Sequence, residues 1–263
     1  MALDTATLEK IAAHLEDAEL NCNEVIKITD DYPDITWEEC TEIQWINRRR
    51  KEARGTKVVG MKMGLTSMAK MRQMGVDKPC YGYLADYFSV PDGGEIKISE
   101  LIHPKVEAEV AFVLKKELSG PGCHIGDVLS ATDFIMPAVE IIDSRYKDFK
   151  FDIKSVQADN SSSARFVTGG RMRPVSELDL KTLGVVMEIN GEIVDLGAGA
   201  AILGHPAAAI AHLANMLAER GEVIPAGTFI MAGAITAATA VKPGDNVTVR
   251  YQDLGTLSLR FVE

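Results

Sequence analysis

Three glutamates stand at positions where a carboxylate is costly unless something positive shares it. In Lys105-Val106-Glu107-Ala108-Glu109-Val110-Ala111-Phe112-Val113-Leu114, strand alternation puts Val106, Ala108, Val110 and Phe112 on one face and Glu107 and Glu109 on the other. Carboxylates at alternate strand positions lie about 7 Å apart and repel unless solvent or a cation intervenes. Ala111 and Val113 continue the same face, so it runs into protein rather than water. A third carboxylate, Glu140, interrupts the apolar run Phe134-Ile135-Met136-Pro137-Ala138-Val139-Glu140-Ile141-Ile142, where unpaired burial is expensive. One divalent cation shared by all three would resolve both problems. Three carboxylates suit magnesium or manganese in an octahedral site whose remaining positions go to water or substrate. The same residues allow another arrangement, in which Glu107 and Glu109 face solvent while Glu140 pairs with Lys62, Arg145 or another base.

Lys62 lies in the apolar run 58–64, where a buried ammonium could polarise a substrate oxygen or have its pKa lowered for proton transfer; an exposed lysine on an edge strand is the plainer alternative. Gly233-Ala234-Ile235-Thr236 follows the short apolar run 229–232 and could offer backbone donors and a hydroxyl to a carboxylate, or be an ordinary turn. His205 precedes a helix and reads as a capping or packing residue, and Met61, Met63, Met68, Met71 and Met74 read as core filler. The four cysteines form no CxxC pair and the five histidines no HxxxH pair, so the thiols are expected to be free and any metal to be held by oxygen.

The elements that must position these groups follow from periodicity. Leu8, Ile11, Ala12 and Leu15 recur at helical spacing over 5–20, with Asp4 or Thr5 as cap. A second helix starts at Thr36, where Thr36 and Glu39 form a capping box, and ends at the basic cluster Arg48-Arg49-Arg50-Lys51 before Gly55. Beyond Gly55 come a strand over 58–64, a short helix over 66–74 stopped by Gly75, and then strands punctuated by turn signals. Asn190-Gly191 marks a hairpin over 187–194, residues 247–262 form another around Asp253-Leu254-Gly255, and one helix runs from Pro206 towards Gly221. The reading is an α+β chain with an N-terminal helical region, 1–55, and a β-rich catalytic domain, 56–263.

The 263 residues suffice for a full core, and about half of them are apolar, the ordinary globular mix. A formal charge of -10 disfavours nucleic acid and anionic membranes as partners. No basic-then-apolar leader and no apolar run of membrane-spanning length occurs in the sequence, so a cytoplasmic location is expected.

Gly60-Met61-Lys62-Met63-Gly64-Leu65-Thr66-Ser67, His103-Pro104-Lys105-Val106-Glu107-Ala108-Glu109 and Pro137-Ala138-Val139-Glu140 resemble the hydratase and decarboxylase branch of the fumarylacetoacetate hydrolase superfamily. The resemblance continues through Ala158-Asp159-Asn160-Ser161, Leu203-Gly204-His205-Pro206 and Lys242-Pro243-Gly244-Asp245. Residues 142–152 and 162–166 look like its decarboxylase members. It implies a mixed β-rich roll with flanking helices, and Mg2+ or Mn2+ held by Glu107, Glu109 and Glu140. It further implies Lys62 and Asp86 as polar catalytic positions and Ser161 and Thr236 as substrate contacts. The implied substrate is a small 2-oxo dicarboxylic acid, 2-oxo-3-hexenedioate, decarboxylated in aromatic meta-cleavage catabolism. The implied assembly is a homo-oligomer or a complex with 2-hydroxypenta-2,4-dienoate hydratase. The alternatives are the hydratase reaction itself, a carbon–carbon bond hydrolase, for which no His-Glu pair is evident, and a non-catalytic partner subunit.

Overall fold

The computed structural model describes residues 2–68, 71, 76 and 78–263. The chain opens on α1 (Thr5–Leu20), capped by Asp4, whose side chain accepts from the Thr7 N–H. After the short α2 (Ile28–Asp31) comes α3 (Trp37–Ala53), where Thr36 and Glu39 close the expected capping box and Arg50 and Lys51 occupy the last turn. These helices bury Leu8, Ile11, Leu15, Cys40 and Ile43 together with Tyr146 and Ala158, residues that come from beyond position 55. Packing therefore crosses the change in texture read at Gly55. The short helix expected over 66–74 falls on a stretch that lies mostly outside the described residues.

Strands β1 (Val58–Gly64), β2 (Cys80–Ala85), β3 (Ser89–Val90), β4 (Glu95–Lys97) and β5 (Lys105–Leu114) lead to α4 (Ile125–Ala131) and β6 (Thr132–Ile142). Helix α5 (Ile153–Ala158) precedes β7 (Ser163–Thr168), β8 (Arg173–Pro174), β9 (Gly184–Ile189) and β10 (Glu192–Ala198). Helix α6 (Pro206–Ala218), β11 (Phe229–Met231), β12 (Thr239–Ala240), β13 (Asn246–Tyr251) and β14 (Gly255–Val262) complete the chain. Among the described residues they form two mixed sheets. The larger runs β2-β1-β11-β5-β6-β7-β3, with β12 added to β5 and β8 to β6; the smaller runs β10-β9-β13-β14-β4.

The main core lies between the sheets and under α6. It takes Val106, Ala108, Val110 and Phe112 from the apolar face of β5, Val247, Val249, Leu257 and Leu259 from the facing sheet, and Ile210 and Leu213 from the helix. The opposite face of β5 is closed by a smaller cluster that includes Ala111, Ala138, Phe166 and Met231. Both faces of β5 are thus inside protein, and the glutamate face ends on an apolar floor. Both expected hairpins form. Asn190 and Gly191 take the positive φ that the tight turn between β9 and β10 demands, and Asp253 does so between β13 and β14.

Candidate metal centre

Strand register assembles the carboxylates. In the antiparallel pair β5·β6, Glu107 lies directly opposite Glu140, and Glu109 follows two positions along on the same face, opposite Ala138. All three side chains are buried, and one carboxylate oxygen from each falls within 4.8 Å of the others. Glu109 Oε2 accepts from the Gly233 N–H at 2.8 Å, and Glu140 Oε1 accepts from Lys62 Nζ at 3.1 Å and from the Ser163 hydroxyl at 3.4 Å. Glu109 Oε1 and Glu140 Oε2 are buried with no hydrogen-bond partner. Two orphaned carboxylate oxygens in one cluster are a costly arrangement that a cation relieves. The residues present therefore fit a hard divalent cation.

Burial pushes the Glu109 carboxyl well above the ordinary carboxylate range; Glu140 and Glu107 add repulsion, against which Lys62 and the Gly233 N–H pull it down. Burial likewise raises Glu140, with Lys62 opposing. Lys62 responds the other way from a lysine alone in an apolar site. Burial favours its neutral form, but Glu140 above all, with Cys80, Glu109 and Glu107, holds the ammonium above its usual value. The lowered pKa that would suit proton transfer is not what these surroundings produce. Nor is Lys62 an exposed edge residue. Strand β1 lies between β2 and β11, and the side chain is 2% exposed. The two arrangements weighed for Glu140 coincide, since it belongs to the carboxylate cluster and pairs with Lys62.

Lys62 is aimed by a strained segment. Its Nζ donates to Ser161 O at 2.9 Å and to Ser161 Oγ at 3.0 Å, and Cys80 Sγ is 3.1 Å from the same hydroxyl. Asn160, Ser161 and Ser162 all have φ between 50° and 56°, a left-handed run that costs on the order of 1–2 kcal/mol per residue. The run is held from several sides. The buried Arg145 guanidinium grips the Asp159 carboxylate and carbonyl, Asp143 O at 2.8 Å and Ser163 O at 3.1 Å. Asn160 clips the backbone of Tyr83 through both side-chain atoms, accepting at 2.9 Å and donating at 3.0 Å. Gly82 makes that approach possible, because a Cβ there would lie 2.6 Å from Asn160 O. From α3, Gln44 donates to Tyr81 O at 2.7 Å and accepts from Gln157 at 3.1 Å, so the N-terminal helices brace the same segment.

A cavity of about 530 Å³ opens over this cluster, lined by Lys62, Glu107, Ser161 and Thr236 among others. Thr236 Oγ1 accepts from the Ala108 N–H at 3.0 Å, which leaves the hydroxyl proton to donate. Asp86 is not among the described residues that line this cavity. It is exposed, directly follows β2, and accepts from the Tyr87 N–H. Gly82 is the β2 residue paired with Lys62, and four residues along a strand is about 13 Å. His205 caps α6, accepting from the Ala207 N–H at 3.1 Å, and burial lowers its pKa. Met63 and Met71 are core residues, Met68 is 46% exposed, and Met74 lies outside the described residues. The four cysteines are free.

Sequence reading missed the Arg145–Asp159 clamp, the Asn160 clip and the contribution of Cys80 and Gly82. The signal for the clamp was present in the motif 158–161, but the partner of Arg145 was sought at Glu140.

The family model described as fumarylacetoacetate (FAA) hydrolase C-terminal matches residues 64–262. The chain is 66% identical over 252 residues, 96% of each chain, to a 4-oxalocrotonate decarboxylase of Pseudomonas sp. (strain CF600). It is 36% identical, over 99% of each chain, to a 2-hydroxyhexa-2,4-dienoate hydratase of Comamonas testosteroni. The solved structure of 4-oxalocrotonate decarboxylase from Pseudomonas putida G7, complexed with magnesium and adipate, matches with a TM-score of 0.98 and 62% identity, covering 99% of both chains.

Proposed function

The chain belongs to the fumarylacetoacetate hydrolase family, and on that footing we propose that it is a carboxy-lyase, dependent on Mg2+ or Mn2+, that decarboxylates 2-oxo-3-hexenedioate (4-oxalocrotonate) to 2-hydroxypenta-2,4-dienoate in aromatic meta-cleavage catabolism. The observation that carries this reading is the buried Glu107, Glu109 and Glu140 cluster, with its two unpartnered oxygens, facing a cavity beside Lys62.

Glu107, Glu109 and Glu140 would hold the cation, which when bound supplies Lewis acidity and a seat for the C1 carboxylate and 2-oxo oxygen of the substrate. Loss of carbon dioxide breaks the C5–C6 bond. Its electron pair forms the C4–C5 double bond, the former C3–C4 π pair moves to C2–C3, and the 2-oxo oxygen gains the charge. Lys62 is the fixed cation for that charge, already desolvated and aimed by Ser161. Thr236 donates to a substrate oxygen, and the apolar wall of Ile142, Phe149 and Phe151 keeps bulk water from the departing carboxylate. Asp86 is exposed and not among the residues lining the cavity, so the proton that converts the enolate to the neutral enol comes from solvent.

The likeness to a 2-hydroxyhexa-2,4-dienoate hydratase keeps a hydratase reaction, addition of water to a 2-hydroxydienoate, as the competing reading; for this chain the dienoate would be 2-hydroxypenta-2,4-dienoate. Purified chain supplied with 2-oxo-3-hexenedioate and Mg2+ separates the two. Decarboxylation gives carbon dioxide and the five-carbon dienoate in equal amounts; a hydratase releases no carbon dioxide.

The helical segment 1–55 is part of the same working unit as 56–263, a reading supported by the brace from Gln44. Association as a homo-oligomer or with 2-hydroxypenta-2,4-dienoate hydratase belongs to the proposal too. Exposed Ile193, Val194 and Leu196 on the sheet-edge strand β10 support it. No helix among the described residues is long and apolar enough to cross a membrane. A cytoplasmic location completes the reading and agrees with the four free thiols.

A further inference from the structure

The Lys62 ammonium has three protons, and each already meets an acceptor: Ser161 O at 2.9 Å, Ser161 Oγ at 3.0 Å and Glu140 Oε1 at 3.1 Å. A substrate oxygen can take a proton of Lys62 only by breaking one of these bonds. Ser161 is placed differently. Its Oγ accepts from Lys62, so its own proton is left to donate, and Cys80 Sγ lies 3.1 Å away to receive it. Burial pushes the Cys80 thiol up, so it stays neutral, and a neutral thiol is a weak acceptor. The hydroxyl also faces open space. A Cβ on Gly64 would collide with Ser161 Oγ and lie 2.8 Å from Cys80 Sγ and 3.4 Å from Lys62 Nζ, so the three groups converge on the point that this glycine leaves clear. Gly64, Ser161, Cys80 and Lys62 all line the cavity.

We infer that Lys62 acts on the substrate through Ser161, whose hydroxyl is the group that donates to the oxygen where negative charge develops. The inference rests on the proposed function for the identity of that oxygen. Turning the hydroxyl from a thiol sulfur to a charged oxygen exchanges a weak bond for a strong one. Drawing a proton of Lys62 away from Glu140 or Ser161 instead breaks a charge-assisted bond. The positive charge still reaches the substrate, because a hydroxyl that accepts from an ammonium is polarised and donates more strongly. Two hydrogen bonds of ordinary length meeting at one hydroxyl put Nζ about 4–5 Å from the oxygen served, close enough for the ammonium to stabilise it. The hydroxyl shares its proton and keeps it, so no proton transfer is involved. Ser161 thus touches the reacting oxygen, and Lys62 supplies the charge behind it.

The test is a double-mutant cycle of Ser161→Ala and Lys62→Met, read as steady-state release of carbon dioxide at saturating Mg2+, with thermal melts and Mg2+ titrations to show folded, loaded protein. Removing the hydroxyl should lower kcat about a hundredfold when Lys62 is present, where the bond is charge-assisted, and about tenfold in Lys62→Met, where it is an ordinary one. KM should stay within about threefold in both backgrounds. Ser161→Gly removes the same hydroxyl and relieves the φ of 53°, so it should give the same losses, and it replaces the alanine variant if that melts early. A binding arm needs no turnover. Oxalate presents adjacent charged oxygens as an enolate does, and its calorimetric affinity in the presence of Mg2+ should fall about tenfold or more in Ser161→Ala and Ser161→Gly. Equal losses of kcat in both backgrounds overturn the inference, because Lys62 would then meet the substrate directly. No loss in the Lys62→Met background also overturns it, since Ser161 would merely aim Lys62, and so does a loss confined to KM or an undiminished affinity for oxalate. Failure of the proposed function looks different: wild type would itself release no carbon dioxide from 2-oxo-3-hexenedioate, whatever the oxalate affinities.

Discussion

Replacing Lys62 by methionine removes a charge and almost no volume, so its consequence should be electrostatic. The ammonium is buried, lies 3.1 Å from Glu140 Oε1 and is fixed by two bonds to Ser161, so it needs no reorganisation when charge develops beside it. A full negative charge about 4 Å away, at an effective dielectric near 20, would interact by about 4 kcal/mol. The enolate oxygen gains only part of a charge in the transition state, so about 3 kcal/mol is the expected loss, or about a hundredfold in kcat. Cation affinity should not fall, because the substitution leaves the cluster more negative. The assay is steady-state release of carbon dioxide from 2-oxo-3-hexenedioate at saturating Mg2+, with a calorimetric Mg2+ titration and a thermal melt to show a folded, loaded enzyme. A raised KM with unchanged kcat would refute the reasoning, since Lys62 would then contribute uniform binding.

Other outcomes follow from the same geometry. Gly82→Ala sets a Cβ against Asn160 O at 2.6 Å and should cost about 1–3 kcal/mol, read as a lower Tm together with a lower kcat as Ser161 shifts from Lys62; an unchanged Tm would mean the segment is not held as described. Asp86→Asn, at an exposed site outside the cavity, should leave kcat within about twofold in the same assay. Protons and Mg2+ compete for Glu109 and Glu140, whose carboxyls are raised, so affinity should fall as pH drops through values above the ordinary 4.5, as titrations between about pH 5 and about pH 8 would record. A raised carboxyl makes the cation-free fold lose stability as pH rises through it, so Mg2+ should lift Tm more at about pH 8 than at about pH 5.

Much of the site was legible because strand periodicity is exact. Glu107 and Glu109 share a face by alternation alone, and a lone glutamate in an apolar run announces a partner. What alternation cannot supply is register. That Glu140 falls opposite Glu107 rather than one residue away depends on pairing between segments separated by a helix. The helices were read closely where caps marked them, at Asp4, Thr36 and Pro206, because capping is a local interaction. The left-handed run at Asn160, Ser161 and Ser162 was not legible. Ordinary residues adopt it there because Arg145, Asp159 and Tyr83 impose it from elsewhere in the chain. The place of Asp86 was not legible for a related reason. The resemblance gave it as a polar position of the pocket, and only the strand pairing shows that it lies four residues beyond the partner of Lys62.

The central claim, that Glu107, Glu109 and Glu140 together hold one divalent cation, is tested most directly by calorimetric titration of Mg2+ into wild type, Glu140→Gln and, as a surface control, Glu100→Gln. The account predicts one ion per chain in wild type and in the control, and affinity weakened at least about tenfold in Glu140→Gln, where a buried ligand charge is lost. Undiminished affinity in Glu140→Gln would contradict it.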